Sequence, residues 1–122
     1  MSAADFLRAT ATNTPAPETP GEGADEVFEA AFRLAVKLRF KTDTPLAAIT
    51  ATVRAAARRH RELMLPIREA EMLIRSALGE TVPAAEITAA DTVKVHVLMF
   101  AALVEELALT DAELDELIAQ AG

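Results

Sequence analysis

The chain has no cysteine. Disulfides, thiol nucleophiles, thiolate metal sites and iron–sulfur clusters are excluded by that alone. Tryptophan and tyrosine are also missing, and the five aromatic residues are all Phe. Only two histidines, His60 and His96, and two serines, Ser2 and Ser76, are present. The patterns G-x-S-x-G, P-loop, dinucleotide-binding and H-E-x-x-H do not occur. His60-Arg61-Glu62 is an H-x-E run, but a metal pair on a helix needs a spacing of three or four, and neither histidine has an acid at that spacing. Glu69/Glu71 and Glu105/Glu106 fall on different helix faces, which suits solvated surface better than acid–base work. The residues therefore predict no enzyme, no cofactor and no metal.

Long apolar runs are absent too. The longest, Val97 to Val104, is eight residues, too short for a membrane span. No basic stretch followed by an apolar one marks a signal peptide. The expectation is a cytoplasmic protein without a membrane partner. Glycine is scarce, with four residues, so little interrupts helix formation.

What is there is alanine and leucine. Hydrophobic residues make up 52% of 122 positions, enough for one domain that buries about 65% of its unfolded surface. The expected fold is all-α: a single bundle of four to five helices over 24–122, preceded by a disordered N-terminal tail over 1–23. Residues 10–23, TATNTPAPETPGEG, read as a flexible linker. Ahead of it, Phe6 and Leu7 form a short apolar peptide that is predicted to bury against this domain, a second copy or a partner. A helical turn over 3–9 is too short to stand alone. Deleting residues 1–20 is expected to leave the bundle folded.

The first long helix is expected over 24–40, with Val27, Ala31, Leu34 and Leu38 on one face and Phe28, Phe32 and Ala35 in a second apolar row. The second starts with Thr44 as N-cap and Pro45 at the first position. Its seam is Leu46, Ile49, Val53, Ala56, His60 and Leu63, spaced like a heptad. Pro66 kinks or breaks it, and the lack of Gly, Asn or Asp nearby favours a kink or short break over a full hairpin. A third helix covers 67–78 and is capped by Gly79. A fourth covers 89–108 after the Thr88–Asp91 start. Thr92 to Val97 also alternates like a strand, but no partner strand exists, and helix is preferred. A fifth follows the Thr110–Glu113 capping box, with Leu114, Leu117 and Ile118 facing the core and Leu109 stapled onto Leu114.

Charge is segregated along the chain. The formal net charge of −7 divides into −2 over residues 1–22, +4 over 23–68 and −9 over 69–122. Arg54, Arg58 and Arg61, flanked by Arg59 and Arg68, form a basic ridge on the second helix. Such a ridge can hold phosphates or acidic side chains. The 41–45 turn lacks the Gly of a helix-turn-helix and no aromatic sits nearby to stack on RNA bases, so pairing with Glu69, Glu71, Glu105 and Glu106, within the fold or between copies, outranks nucleic acid. His60 and His96 are candidates for a polar core position or a pH switch, the former reading being the commoner. The function expected from these features is a non-enzymatic, self-associating protein-interaction module. A nucleic-acid regulator using Arg54, Arg58, Arg59 and Arg61 ranks second. A small-molecule binder, with a pocket opposite Phe28, Phe32 and Phe100, ranks third.

Overall fold

The computed structural model describes residues 3–11, 24–59 and 61–122. Every regular element among them is helical: α1 (Ala3–Ala11), α2 (Ala24–Arg39), α3 (Leu46–Arg59), α4 (Ile67–Ala77), α5 (Ala89–Leu107) and α6 (Asp111–Ala121), with single 3-10 turns at Arg61–Leu63 and Ala84–Glu86. Residues 92–97 are helix, not strand. The described helices number six rather than four to five.

The extra helix is α1, cut from what reads in the sequence as tail. Leu7 is 0% exposed inside the common core, and the Phe6 ring packs 5.5 Å from that of Phe28. The helix packs on α2, α5 and α6, and Arg8 reaches Asp115 of α6 at 2.8 Å. Docking against three helices removes the length penalty that makes a nine-residue helix unstable by itself. Thr10 and Ala11 belong to this helix, and the rest of the expected linker, 12–23, lies outside the described residues.

Helix α2 buries Phe28, Ala31, Phe32, Ala35 and Val36, while Leu38 is 58% exposed. The phenylalanine row is buried throughout, whereas of the Val27–Leu38 row Ala31 is buried, Val27 and Leu34 are partly buried against the core, and Leu38 faces out. The aromatic rings bury more apolar area than the aliphatics of the competing row, so rotation toward them wins. Helix α5 packs on α1, α2, α3 and α4 and is apolar nearly all round.

Three contacts fix the relation of α2 to α5. Ala24 shares a groove with Ala90 and Lys94 at one end, Phe32 meets His96 in the middle at 4.9 Å, and Arg39 binds Glu106 at 2.7 Å at the other. The two helices therefore run parallel, and the chain between them must travel back.

Between them come α3 and α4, which pack on each other and on α5. Thr44 does not cap α3 as expected: its hydroxyl accepts from the Lys41 N–H at 2.8 Å and closes the preceding turn. Ile49, Val53 and Ala56 of the expected seam are buried, but its ends, Leu46 and Leu63, are exposed, and His60 lies outside the described residues. Helix α3 ends at Arg59, and Arg75 and Glu80 at the end of α4 share a cleft with Leu46 and Ile49 at the start of α3. The break at Pro66 is thus a full reversal rather than a kink. Met64 supplies it by taking a left-handed φ of 52°, a position where Gly or Asn is usual.

The remaining boundaries follow local chemistry. Gly79, at φ +99°, ends α4 with the Glu80 N–H on the Arg75 carbonyl and the Gly79 N–H on the Ser76 carbonyl, both 3.0 Å. Thr88 caps α5 by accepting from the Asp91 N–H at 3.1 Å, and Thr110 and Glu113 form a reciprocal capping box on α6. Leu109 packs on the core, and Leu114, Leu117 and Ile118 are buried as expected.

Two stability predictions follow from strain and burial. Ala108 ends α5 at φ 51°, left-handed, with a free-facing surface. Ala108→Gly relieves that conformation and should raise stability by about 0.5–1 kcal/mol, read as a higher urea midpoint at unchanged m; a lower midpoint would contradict the assigned turn. Leu7→Ala should cost about 2–4 kcal/mol, the opposite of what a dispensable tail allows. A loss below about 0.5 kcal/mol in the same assay would mean that α1 is not part of the core.

Candidate interaction surface

The reversal between α3 and α4 projects side chains outward. Met64 is 78% exposed, Leu63 43% and Ile67 39%. Five residues thus carry three large apolar side chains into solvent at one corner. Arg61 and Arg68 flank these residues in sequence and Arg54 and Arg58 lie on the preceding helix; all four are exposed, and among the described residues none has an ion-pair partner. Glu62 is the one acid in the same turn. Arg59 differs: it crosses to Glu105 of α5 at 3.0 Å. The ridge therefore divides. One arginine ties α3 to α5, and the other three of the expected set face water.

The acids expected to balance the ridge divide as well. Glu105 holds Arg59 and Glu106 holds Arg39, whereas Glu69 and Glu71 form no salt bridge with it among the described residues. A cleft of about 510 Å³ between α3 and α5 has alanines 48, 51 and 55 on one wall and Arg39, Arg59 and Glu106 on the other. These pairs are half exposed, so each contributes about 0–1 kcal/mol. They set how α3 sits on α5 more than whether the bundle folds.

Two further grooves are apolar. One, about 390 Å³, lies between α1, α2 and α5, lined by Phe6, Phe28, Val93, Val97 and Leu98, with Asp25 and Lys94 at its edge and Leu63 reaching in from the corner. Of the three phenylalanines expected to face a pocket, Phe28 lines this groove, while Phe32 and Phe100 are packed inside the core. The other groove, about 450 Å³, lies between α2 and α6. Leu34, Leu38, Leu107 and Leu109 form its floor, and Glu113, Glu116 and Lys37 stand at its rim. Leu38, expected on the core face of α2, is exposed because α2 turns its phenylalanines inward.

Phe6 and Leu7 of the expected docking peptide sit in or against the body of the fold. His60 lies outside the described residues, so its relation to His96 is not described. His96 is 6% exposed and faces α2, where Phe32 stacks obliquely on its ring. Burial holds its pKa below the ordinary histidine value. Glu29 opposes that shift, Arg33 adds to it, and Asp25 opposes it more weakly. Among the described residues no three His, Asp or Glu side chains gather as a metal site, and no helix is long and apolar enough to cross a membrane.

The chain matches no protein-family model, no curated protein and no solved structure.

The His96 shift has a definite sign. The folded state keeps the imidazole neutral while the unfolded chain protonates it near pH 6.5, so stability is full above that pH and falls as pH drops through it. Unfolding free energy measured by urea between pH 7.5 and 5 should therefore decline, and His96→Gln should flatten part of that decline. An identical slope in wild type and variant would show that His96 does not contribute.

Proposed function

We propose that the chain is a non-enzymatic helical interaction module whose contact surface is the corner at the α3–α4 reversal. The observation that carries this is the exposure of Leu63, Met64 and Ile67 at one reversal, in a segment whose arginines Arg54, Arg58, Arg61 and Arg68 are exposed and unpaired among the described residues. Holding Met64 left-handed costs about 1–2 kcal/mol, and what that conformation does is push a methionine into water. Apolar side chains at a surface centre with charged side chains around them are the arrangement of a protein contact, with desolvated anchors inside and a polar rim outside. Methionine suits such an anchor because its flexible, polarisable side chain adapts to the partner. The partner expected is acidic and apolar, and a second copy meets that description.

The same arginines support a nucleic-acid reading, since three lie on one helix and its following turn facing solvent. It ranks lower because the apolar centre of the corner would be left facing phosphates, and because the aromatic residues, the usual stacking partners of bases, are drawn into the core at Phe28, Phe32, Phe40 and Phe100.

A photo-reactive benzoylphenylalanine in place of Met64, introduced in cells that naturally make the chain, separates these readings. Discrete protein adducts that disappear when Leu63→Asp is added are the expected result. Adducts removed by nuclease would favour the nucleic-acid reading instead. Illumination that yields no adduct at all would end the interaction proposal.

A further inference from the structure

The corner has a complement on the same molecule. We propose that copies of this chain associate head to tail, with the Leu63–Met64 corner of one seated in the α2–α6 groove of the next; this rests on the interaction reading above and names its partner. Three observations support it.

The first is position. Leu63 borders Ala24 and Ala90, at the N-terminal ends of α2 and α5. The groove is bordered by Leu38 and Leu107, at the C-terminal ends of the same two parallel helices. Corner and groove therefore sit at separate places on the bundle, with no lining residue in common. A contact between them cannot be made within one molecule. Between molecules it is heterologous, so it propagates as a ring or an open chain rather than closing as a symmetric dimer.

The second is apolar match. Met64 protrudes with 78% of its surface exposed, and the groove that would take it is floored by leucines, of which Leu38 is itself 58% exposed. Each surface leaves in water what the other would cover.

The third is charge. The corner carries Arg58 and Arg61 without partners among the described residues, against Glu62. The groove is lined by Glu113 and Glu116 of α6, whereas Asp115 of the same helix is paired with Arg8. Glu116 is exposed, and Lys37 is the single cation on the opposite lip. Positive end meets negative end in the head-to-tail arrangement, whereas corner-to-corner or groove-to-groove contacts bring like charges together.

The test uses the full chain and two variants at exposed positions. Met64→Asp removes the corner, and Leu38→Asp removes the groove. Sedimentation velocity should show wild-type mass rising with concentration across the micromolar range. Each variant alone should be monomeric, its self-association weakened at least about tenfold. The equimolar mixture decides the geometry. One variant keeps an intact groove and the other an intact corner, so together they should form a one-to-one dimer and nothing larger. A mixture that remains monomeric while wild type associates would overturn the head-to-tail mode. Wild type that remains monomeric at all concentrations would overturn self-association, even where photo-adducts at position 64 with another protein keep the interaction reading alive. Circular dichroism melting of each variant checks the fold, and Glu116→Arg is the substitute groove variant where Leu38→Asp does not fold.

Discussion

The parallel packing of α2 on α5 is the constraint from which the rest of the architecture follows. Parallel neighbours cannot be joined by a tight turn, so the chain between them must travel back. Helices α3 and α4 pack on each other and on α5, and residues 78–88 bring the chain to the start of α5. Aligned dipoles repel slightly, by tenths of a kcal/mol, and burial of Phe28, Phe32, Val36, Val95, Met99 and Leu103 between the helices outweighs that many times over. The small residues Ala31, Ala35 and Ala102 within the same core let the backbones approach closely enough for the rings to fill the space between them.

The exposed apolar corner lies where the chain turns from α3 into α4. Helix α3 ends with Arg59 held to Glu105, near the C-terminal end of α5, and α4 begins at Ile67. Leu65 turns inward and is buried, Leu63 borders the groove beside Phe6 and Phe28 while still partly exposed, and Met64 faces outward. Nothing in the packing of the bundle requires those neighbours to be large and apolar. Four arginines about them would satisfy the surface alone. Hydrophobic side chains at positions that the fold assigns to water are therefore a property of the surface rather than of the core.

Local chemistry was legible in the sequence, and long-range choice was not. Thr88, the Thr110–Glu113 box and Gly79 end or begin helices as read, because a cap needs only residues within one turn. The periodicity of α6 also pointed to the correct face, Leu114, Leu117 and Ile118, because it has one apolar stripe. Helix α2 has two adjacent stripes, and only the neighbours it meets select between them. Met64 and Ala108 take left-handed backbone that their side chains disfavour, so no turn signal announces them. Helix α1 was underrated because its stability is borrowed from α2, α5 and α6. Leu38 and Met64, the residues on which the two complementary surfaces centre, were read as core or passed over. Periodicity reports which residues are apolar, and exposure depends on what packs against them.

Charge segregation, the loudest feature of the sequence, does little to hold the fold. The pairs that cross from the basic segment to the acidic one, Arg39–Glu106 and Arg59–Glu105, are partly exposed and weak. They occupy two carboxylates near the C-terminal end of α5, and leave without ion-pair partners among the described residues Arg54, Arg58 and Arg61 on one side and Glu113 and Glu116 of α6 on the other. A net charge of −7 makes two copies repel at long range. At physiological salt that repulsion is screened beyond about 8 Å. Oppositely charged surfaces that come within that distance feel mainly each other. In the head-to-tail arrangement proposed above, charge that contributes little to stability would select orientation, by favouring the approach of a basic surface to an acidic one, and the apolar groups at those surfaces would supply the affinity.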